Sequence, residues 1–122
     1  MLLSVEKLGD ISVVSLTMAQ FDAASADEFK REIRPVLNET HKLVLDLARV
    51  EFVDSRACGA ILSCLKRMNE VGGELRICQV TPFVRTVFEL IRLHRICQIL
   101  TTKEEAIRSL PGGPNPDATA GP

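Results

Sequence analysis

Leu45-Asp46-Leu47-Ala48-Arg49-Val50-Glu51-Phe52-Val53-Asp54-Ser55-Arg56-Ala57-Cys58-Gly59-Ala60-Ile61-Leu62 changes its hydrophobic period in the middle. Leu43 to Leu47 is a nearly continuous apolar run, the pattern of a strand buried on both faces of a helix-covered sheet. Glu51-Phe52-Val53 extends or follows that strand. After Asp54-Ser55 the apolar residues fall at helical spacing. Ala57, Ile61, Leu65, Met68 and then Val71 or Gly72 mark one face; Arg56, Ser63, Lys66, Arg67, Asn69 and Glu70 mark the other. Ser55 therefore sits at the mouth of a helix, beside backbone N–H groups without partners and the positive end of the helix dipole. Such a place favours a phosphate, bound or covalently attached. An ordinary N-cap serine occupies the same place, and on the residues alone that plainer reading carries more weight.

Working outward, Leu2 to Lys7 and Ile11 to Met18 are strand-like, with Gly9-Asp10 between them, which predicts a β-hairpin. Ser25-Ala26-Asp27-Glu28 has the form of a capping box. Ala26, Phe29, Ile33 and Leu37 follow it at helical spacing. Pro35 lacks the N–H that a helix interior uses and is expected to kink or shorten this helix. Gly72-Gly73 ends the next helix, and Leu75 to Val80 is a further strand. Thr81-Pro82 opens a third helix as N-cap and first residue, with Phe83, Val84, Val87, Phe88 and Ile91 as its apolar side. Cys97 to Leu100 is a short strand, and Thr102-Lys103-Glu104-Glu105 is a second capping box before a last amphipathic helix. The expected order is β-β-α-β-α-β-α-β-α. That is an α/β fold with a mixed sheet, opened by a β-hairpin and joined by about four α-helices.

The chain of 122 residues is the size of one domain. Residues 111–122 hold four of the six prolines and three of the seven glycines, and such a segment has too little to bury to offset its ordering entropy. The expectation is a folded domain over residues 1–110 and a disordered tail over 111–122. Fifteen basic and sixteen acidic residues give a net charge of −1, which argues against nucleic-acid binding. No apolar run approaches the ~20 residues of a membrane span. Met1-Leu2-Leu3-Ser4-Val5-Glu6 lacks the basic-then-apolar layout of a secretory signal, so a cytoplasmic location is expected.

The four cysteines, Cys58, Cys64, Cys78 and Cys97, form no C-x-x-C pair, and His41 and His94 are not in ligand spacing with them. No metal site is expected, and the cysteines read as small buried hydrophobes. Cys58, in the first turn of a helix, is the one candidate redox sensor, since helix N-termini lower a thiol's pKa. Neither histidine has a serine or cysteine partner in sequence, and no glycine-rich phosphate loop is present. The chain is read as a binding module without cofactors, not as an enzyme. Its apolar residues fall mostly at core positions, which favours a monomer or weak dimer.

The run D-L-A-R-V-E-F-V-D-S-R-A-C-G-A-I-L resembles the signature of the STAS domain, the anti-sigma factor antagonist family, whose pattern is close to D-L-S-x-V-x-F-[IVM]-D-S-[ST]-G-L-G-x-[LI]-L. Gln20-Phe21-Asp22 resembles the family's G-x-[LIF]-D, and Gly72-Gly73-Glu74-Leu75 its G-G-x-[LV]. The resemblance extends over about residues 4–108 and follows the order of elements. It implies a STAS-like fold and a protein switch. Ser55 would be the phospho-acceptor of a partner anti-sigma factor carrying a histidine-kinase-like serine kinase domain. The unphosphorylated chain would sequester that partner, and a phosphatase would reverse the modification. Asp54 would be its neighbour in the partner-facing loop, and Asp22 a contact residue before the first helix. With Arg56 and Cys58 from the same first turn, these make the expected partner-binding set.

Two departures stand out. Arg56-Ala57 replaces the family's small pair, and Cys58 replaces its Leu. Arg56 is placed to pair with a phosphate on Ser55, to obstruct a kinase, or simply to be solvated. The departures leave room for an alternative that the family also implies: a constitutive binding subunit of a stress-signalling scaffold or of a lipid-transport ATPase complex.

Overall fold

A computed structural model describes residues 1–112 of the chain; the tail expected over 111–122 lies outside them from residue 113 on. The chain opens with the hairpin. Strands β1 (Leu3–Leu8) and β2 (Ile11–Leu16) pair antiparallel with Leu8 opposite Ile11. Gly9 and Asp10 alone make the turn, and Gly9 takes φ +64°, the positive φ that a two-residue hairpin turn demands.

Then follow β3 (Gln20–Phe21), α1 (Ala23–Glu39), β4 (Lys42–Asp46), β5 (Phe52–Val53) and α2 (Ser55–Glu70). The chain finishes with β6 (Glu74–Cys78), α3 (Pro82–Leu90), a 3₁₀ turn at Leu93–Arg95, β7 (Gln98–Leu100) and α4 (Lys103–Ser109). Five strands form one sheet in the order β1-β2-β4-β6-β7; all neighbours after the hairpin are parallel. This is the mixed, helix-covered sheet that the sequence predicts. It differs by a second sheet of two residues per strand, in which β3 and β5 pair parallel.

Alternation along the central strand β4 assigns the two faces. Leu43 and Leu45 belong to the main core, where Phe29 and Ile33 of α1, Ile61 and Met68 of α2 and Phe88 of α3 pack. Val44 points to the opposite face, into a smaller core of Ile11, Val13 and Cys78 covered by Ala106 and Leu110. Burying each such Leu, Ile or Phe stabilises the fold by roughly 1.5–3 kcal/mol. The apolar run at 43–47 is thus continuous because its strand has helices on both sides. At the far end of α2, Gly72 adopts φ +71°. A Cβ on Gly73 would stand 2.7 Å from Met68 Cε and 2.9 Å from the His41 carbonyl oxygen. Both glycines are needed where α2 turns back into β6.

The helix starts at 81 and 102 are capped as the sequence predicts. Thr81 is the N-cap of α3 with Pro82 at the first position, and Thr102 and Glu105 form a reciprocal capping box. Three expectations need correction. Helix α1 begins three residues earlier than the Ser25–Glu28 box implies: Asp22 is the N-cap and Ser25 is the third helical residue. Pro35 neither ends nor shortens α1, which continues to Glu39; the ring lies on the exposed side, where water can bond the freed carbonyl. Phe83 and Ile91 are not core residues of α3. They are 50% and 44% exposed, while Val84 and Phe88 are buried.

Candidate functional site

The parallel strands β2, β4 and β6 all end at one edge of the sheet, and α1, α2 and α3 all begin there. Asp46, the last residue of β4, braces this edge. Its carboxylate accepts from both the Ala48 amide, at 3.0 Å, and Gln79 Nε2, at 2.9 Å. Gln79 itself sits at φ +60°, the strained backbone of a residue held in place by its side chain. Thr81 Oγ1 donates to the Val50 carbonyl at 3.3 Å, tying the start of α3 to the loop before β5.

The β3–β5 ribbon sets two helix starts side by side. Phe21 pairs with Val53, both are buried, and the next residues, Asp22 and Asp54, are the N-caps of α1 and α2. Asp22 Oδ1 accepts from the Ala24 amide at 3.1 Å, and Asp22 N–H donates to Ser25 Oγ at 3.1 Å. Asp54 does more. Its Oδ1 accepts from the Ala57 amide at 2.9 Å, inside its own helix, and its Oδ2 accepts from the Ala23 amide at 2.9 Å, at the start of the other. The Ala57 N–H, with that of Ala23, holds the Asp54 carboxyl below its ordinary range against partial desolvation.

Ser55 is the first residue of α2 and is exposed. The cap role that the sequence offered it belongs to Asp54, and the side-chain hydrogen bonds at this helix start run to Asp54 rather than to Ser55. Among the described residues its hydroxyl therefore has no hydrogen-bond partner. Arg56 follows it, also exposed. Asp22, Asp54, Ser55 and Arg56 thus share one end of the molecule.

Cys58 does not join them on the surface. At 5% exposure it faces inward with Ala57 and Ile61, because positions three and four beyond the cap point at the core. Desolvation, and secondarily the Asp54 carboxylate, raises its thiol pKa, the reverse of what a sensing thiolate needs. The other three cysteines are also free and buried, and burial pushes each up to about 12. Among the described residues no group of three or more His, Cys, Asp or Glu is placed to hold a metal ion, and no helix is long and apolar enough to cross a membrane.

Sequence reasoning missed one component. Phe52, three residues before Ser55, stacks on Phe83 at the start of α3, with ring centroids 5.7 Å apart and planes 16° from parallel. The rings stay 40% and 50% exposed. The missed signal is the spacing in α3: Val84 and Phe88 are four apart on one face, and Phe83 precedes that face by one residue.

Comparison with known proteins agrees with this architecture. The chain matches the STAS domain family model over residues 3–106. A protein of Bordetella bronchiseptica, BtrV, provisionally named an anti-sigma factor antagonist, is 27% identical over 107 residues, covering 87% of this chain and 91% of that protein. The crystal structure of a Thermotoga maritima protein, also provisionally named an anti-sigma factor antagonist, superposes with a TM-score of 0.80 at 29% identity, covering 88% and 93% of the two chains. The phosphorylated form of the Bacillus cell fate determinant SpoIIAA shares the fold, with a TM-score of 0.68 at 21% identity over 88% of this chain and 97% of that one. The protein described here is a member of the STAS domain family.

Proposed function

We propose that this chain is an anti-sigma factor antagonist of the cytoplasm, a binding module rather than an enzyme, whose switch is Ser55. Unmodified, it holds an anti-sigma factor that carries a histidine-kinase-like serine kinase domain; that partner phosphorylates Ser55 and lets go, and a phosphatase restores binding. The observation that carries the reading is the exposed Ser55 hydroxyl at the first position of α2, free because Asp54 has taken the cap. The names of the relatives support the class of partner.

The chemistry of release follows from the neighbours. A phosphate adds roughly −1.5 to −2 charge and three acceptor oxygens. The Ala57 and Ala23 amides, the donors that would neutralise it, are already engaged by the ionised Asp54. The new charge therefore stands beside an existing one, with Arg56 as the nearby cation in sequence. Inside a partner interface it is repelled and must be desolvated, while the domain itself keeps its fold. The exposed Phe52–Phe83 stack gives the same surface an apolar anchor of the kind that dominates interface energetics.

Three baits test this in lysate of the native host: wild type, Ser55→Ala and Ser55→Asp. A kinase-domain ATPase retained by the first two and lost by the third, with phosphate found on the endogenous Ser55, is the expected result. One partner retained equally by all three, with Ser55 unmodified, overturns the switch and makes the chain a constitutive binding subunit.

A further inference from the structure

Away from the Ser55 edge, α1 and α2 leave a groove of about 380 Å³ between them. Its floor is apolar: Ile33 and Leu37 from α1, Ala60 and Cys64 from α2. The groove exists because α2 presents small side chains here, Ala60, Ser63 and Cys64, which cannot fill the space to the facing helix. Its rim is cationic: Lys30 and Arg34 on α1, Arg67 on α2. Among the described residues none of these three enters an ion pair. The one polar contact that they make together is Arg67 Nη2 donating to Asn38 Oδ1 at 3.4 Å. Five other lysine and arginine side chains do enter ion pairs, Lys7, Lys42, Arg76, Arg85 and Lys103, the exposed Lys7 at 3.3 Å from Glu39.

The geometry points to a binding site for a small anionic amphiphile, an acyl chain ended by a carboxylate or similar group. The apolar floor would take the chain and the three unpaired cations its head. Size favours a small ligand over a protein. The volume lies within the roughly 300–1,000 Å³ of small-molecule sites. Lys30 to Asn38 spans about 12 Å of helix, little more than two turns, whereas a stable protein interface takes about 800 Å² from each partner. The site is distinct from the Ser55 edge and does not depend on the reading of Ser55.

Sodium decanoate, below its micellar concentration, is the probe, titrated by calorimetry and by amide chemical shifts of the labelled protein. The expected result is one saturable site, with shifts confined to residues 30–38 and 60–67. Decyltrimethylammonium, with the same chain and the opposite charge, should bind about tenfold weaker or worse. Arg34→Glu with Arg67→Glu should weaken decanoate by a similar factor. Ser63→Leu should do so by occupying the groove from an exposed position; circular dichroism checks that both variants stay folded. Equal binding of the two detergents, shifts elsewhere on the molecule, or no saturable binding overturns the site. Shifts of these same amides by an acidic helical peptide, with none from decanoate, also overturn it in favour of protein docking.

Discussion

The starts of α1 and α2 are built on one plan and finished differently. Each follows a two-residue strand of the β3–β5 ribbon, each has a buried apolar residue, Phe21 or Val53, and each is capped by an aspartate. At α1 the serine is the third helical residue and is consumed by the cap, bonding the Asp22 amide. At α2 the serine is the first helical residue and its hydroxyl bonds none of the described residues, while the aspartate reaches across to Ala23 of the other helix. One start is closed on itself. The other carries the architecture on its carboxylate and leaves its hydroxyl to solvent. The same residue types, moved by two positions, separate a serine held in a cap from a serine exposed to solvent.

The comparison breaks most violently at the apolar anchors. Phe21 is fully buried, with its ring 4.8 Å from that of Phe29. Phe21→Ala should cost about 3–5 kcal/mol, enough to threaten the folded state. Val53→Ala, the matching change beside α2, should cost about 2 kcal/mol from its smaller volume. Denaturant unfolding followed by far-ultraviolet circular dichroism measures both.

The caps come next. Asp22→Ala should cost about 1 kcal/mol. Asp54→Ala should lower the melting temperature further than Asp22→Ala, because it strands donors on two helices. Equal losses would mean that the Ala23 link contributes nothing.

The pH dependence sharpens the same contrast. The folded pKa of Asp54 lies below its unfolded value, so its stabilisation is complete above the unfolded pKa and is lost as pH falls through the folded one. Asp54→Asn cannot titrate. Its deficit against wild type should be constant near neutral pH and shrink as pH falls below about 4. A deficit unchanged at low pH would assign the effect to shape rather than charge.

The smallest expected effect is the most telling for the proposed switch. Ser55→Ala should leave stability within about 0.5 kcal/mol of wild type. Ser25→Ala, which opens the Asp22 box, should lose measurably more in the same melts.

What could be read from the chain, and what could not, follows from the range of the interactions. The start of α2 is legible because the period changes at Asp54-Ser55, and the caps at Thr81 and Thr102 because they use residues within three positions. The α1 start is misread because two overlapping boxes fit, Asp22–Ser25 and Ser25–Glu28; only the extended backbone at Asp22, φ −140°, decides between them. Strands β3 and β5 are two residues long, too short to show a period. The Asp54–Ala23 bond spans 31 positions, and no local pattern announces it. Cys58 is buried, as the reading of the cysteines as small hydrophobes expects; its sensor and partner-surface readings fail because a helix start suggests a lowered thiol pKa, but burial, a tertiary property, outweighs the dipole. At the site, the identity of Asp54 and Ser55 is local, whereas their division of labour is tertiary.

The Phe52–Phe83 stack has an optical consequence. The chain contains no tryptophan and no tyrosine, so its own near-ultraviolet emission is almost dark. Phe83 is half exposed and rests on a ring three residues from Ser55. A single indole put there, Phe83→Trp, would be the only strong fluorophore in the molecule. It would sit on the proposed docking surface, so a blue shift on adding a partner would report contact at this edge against an otherwise silent background.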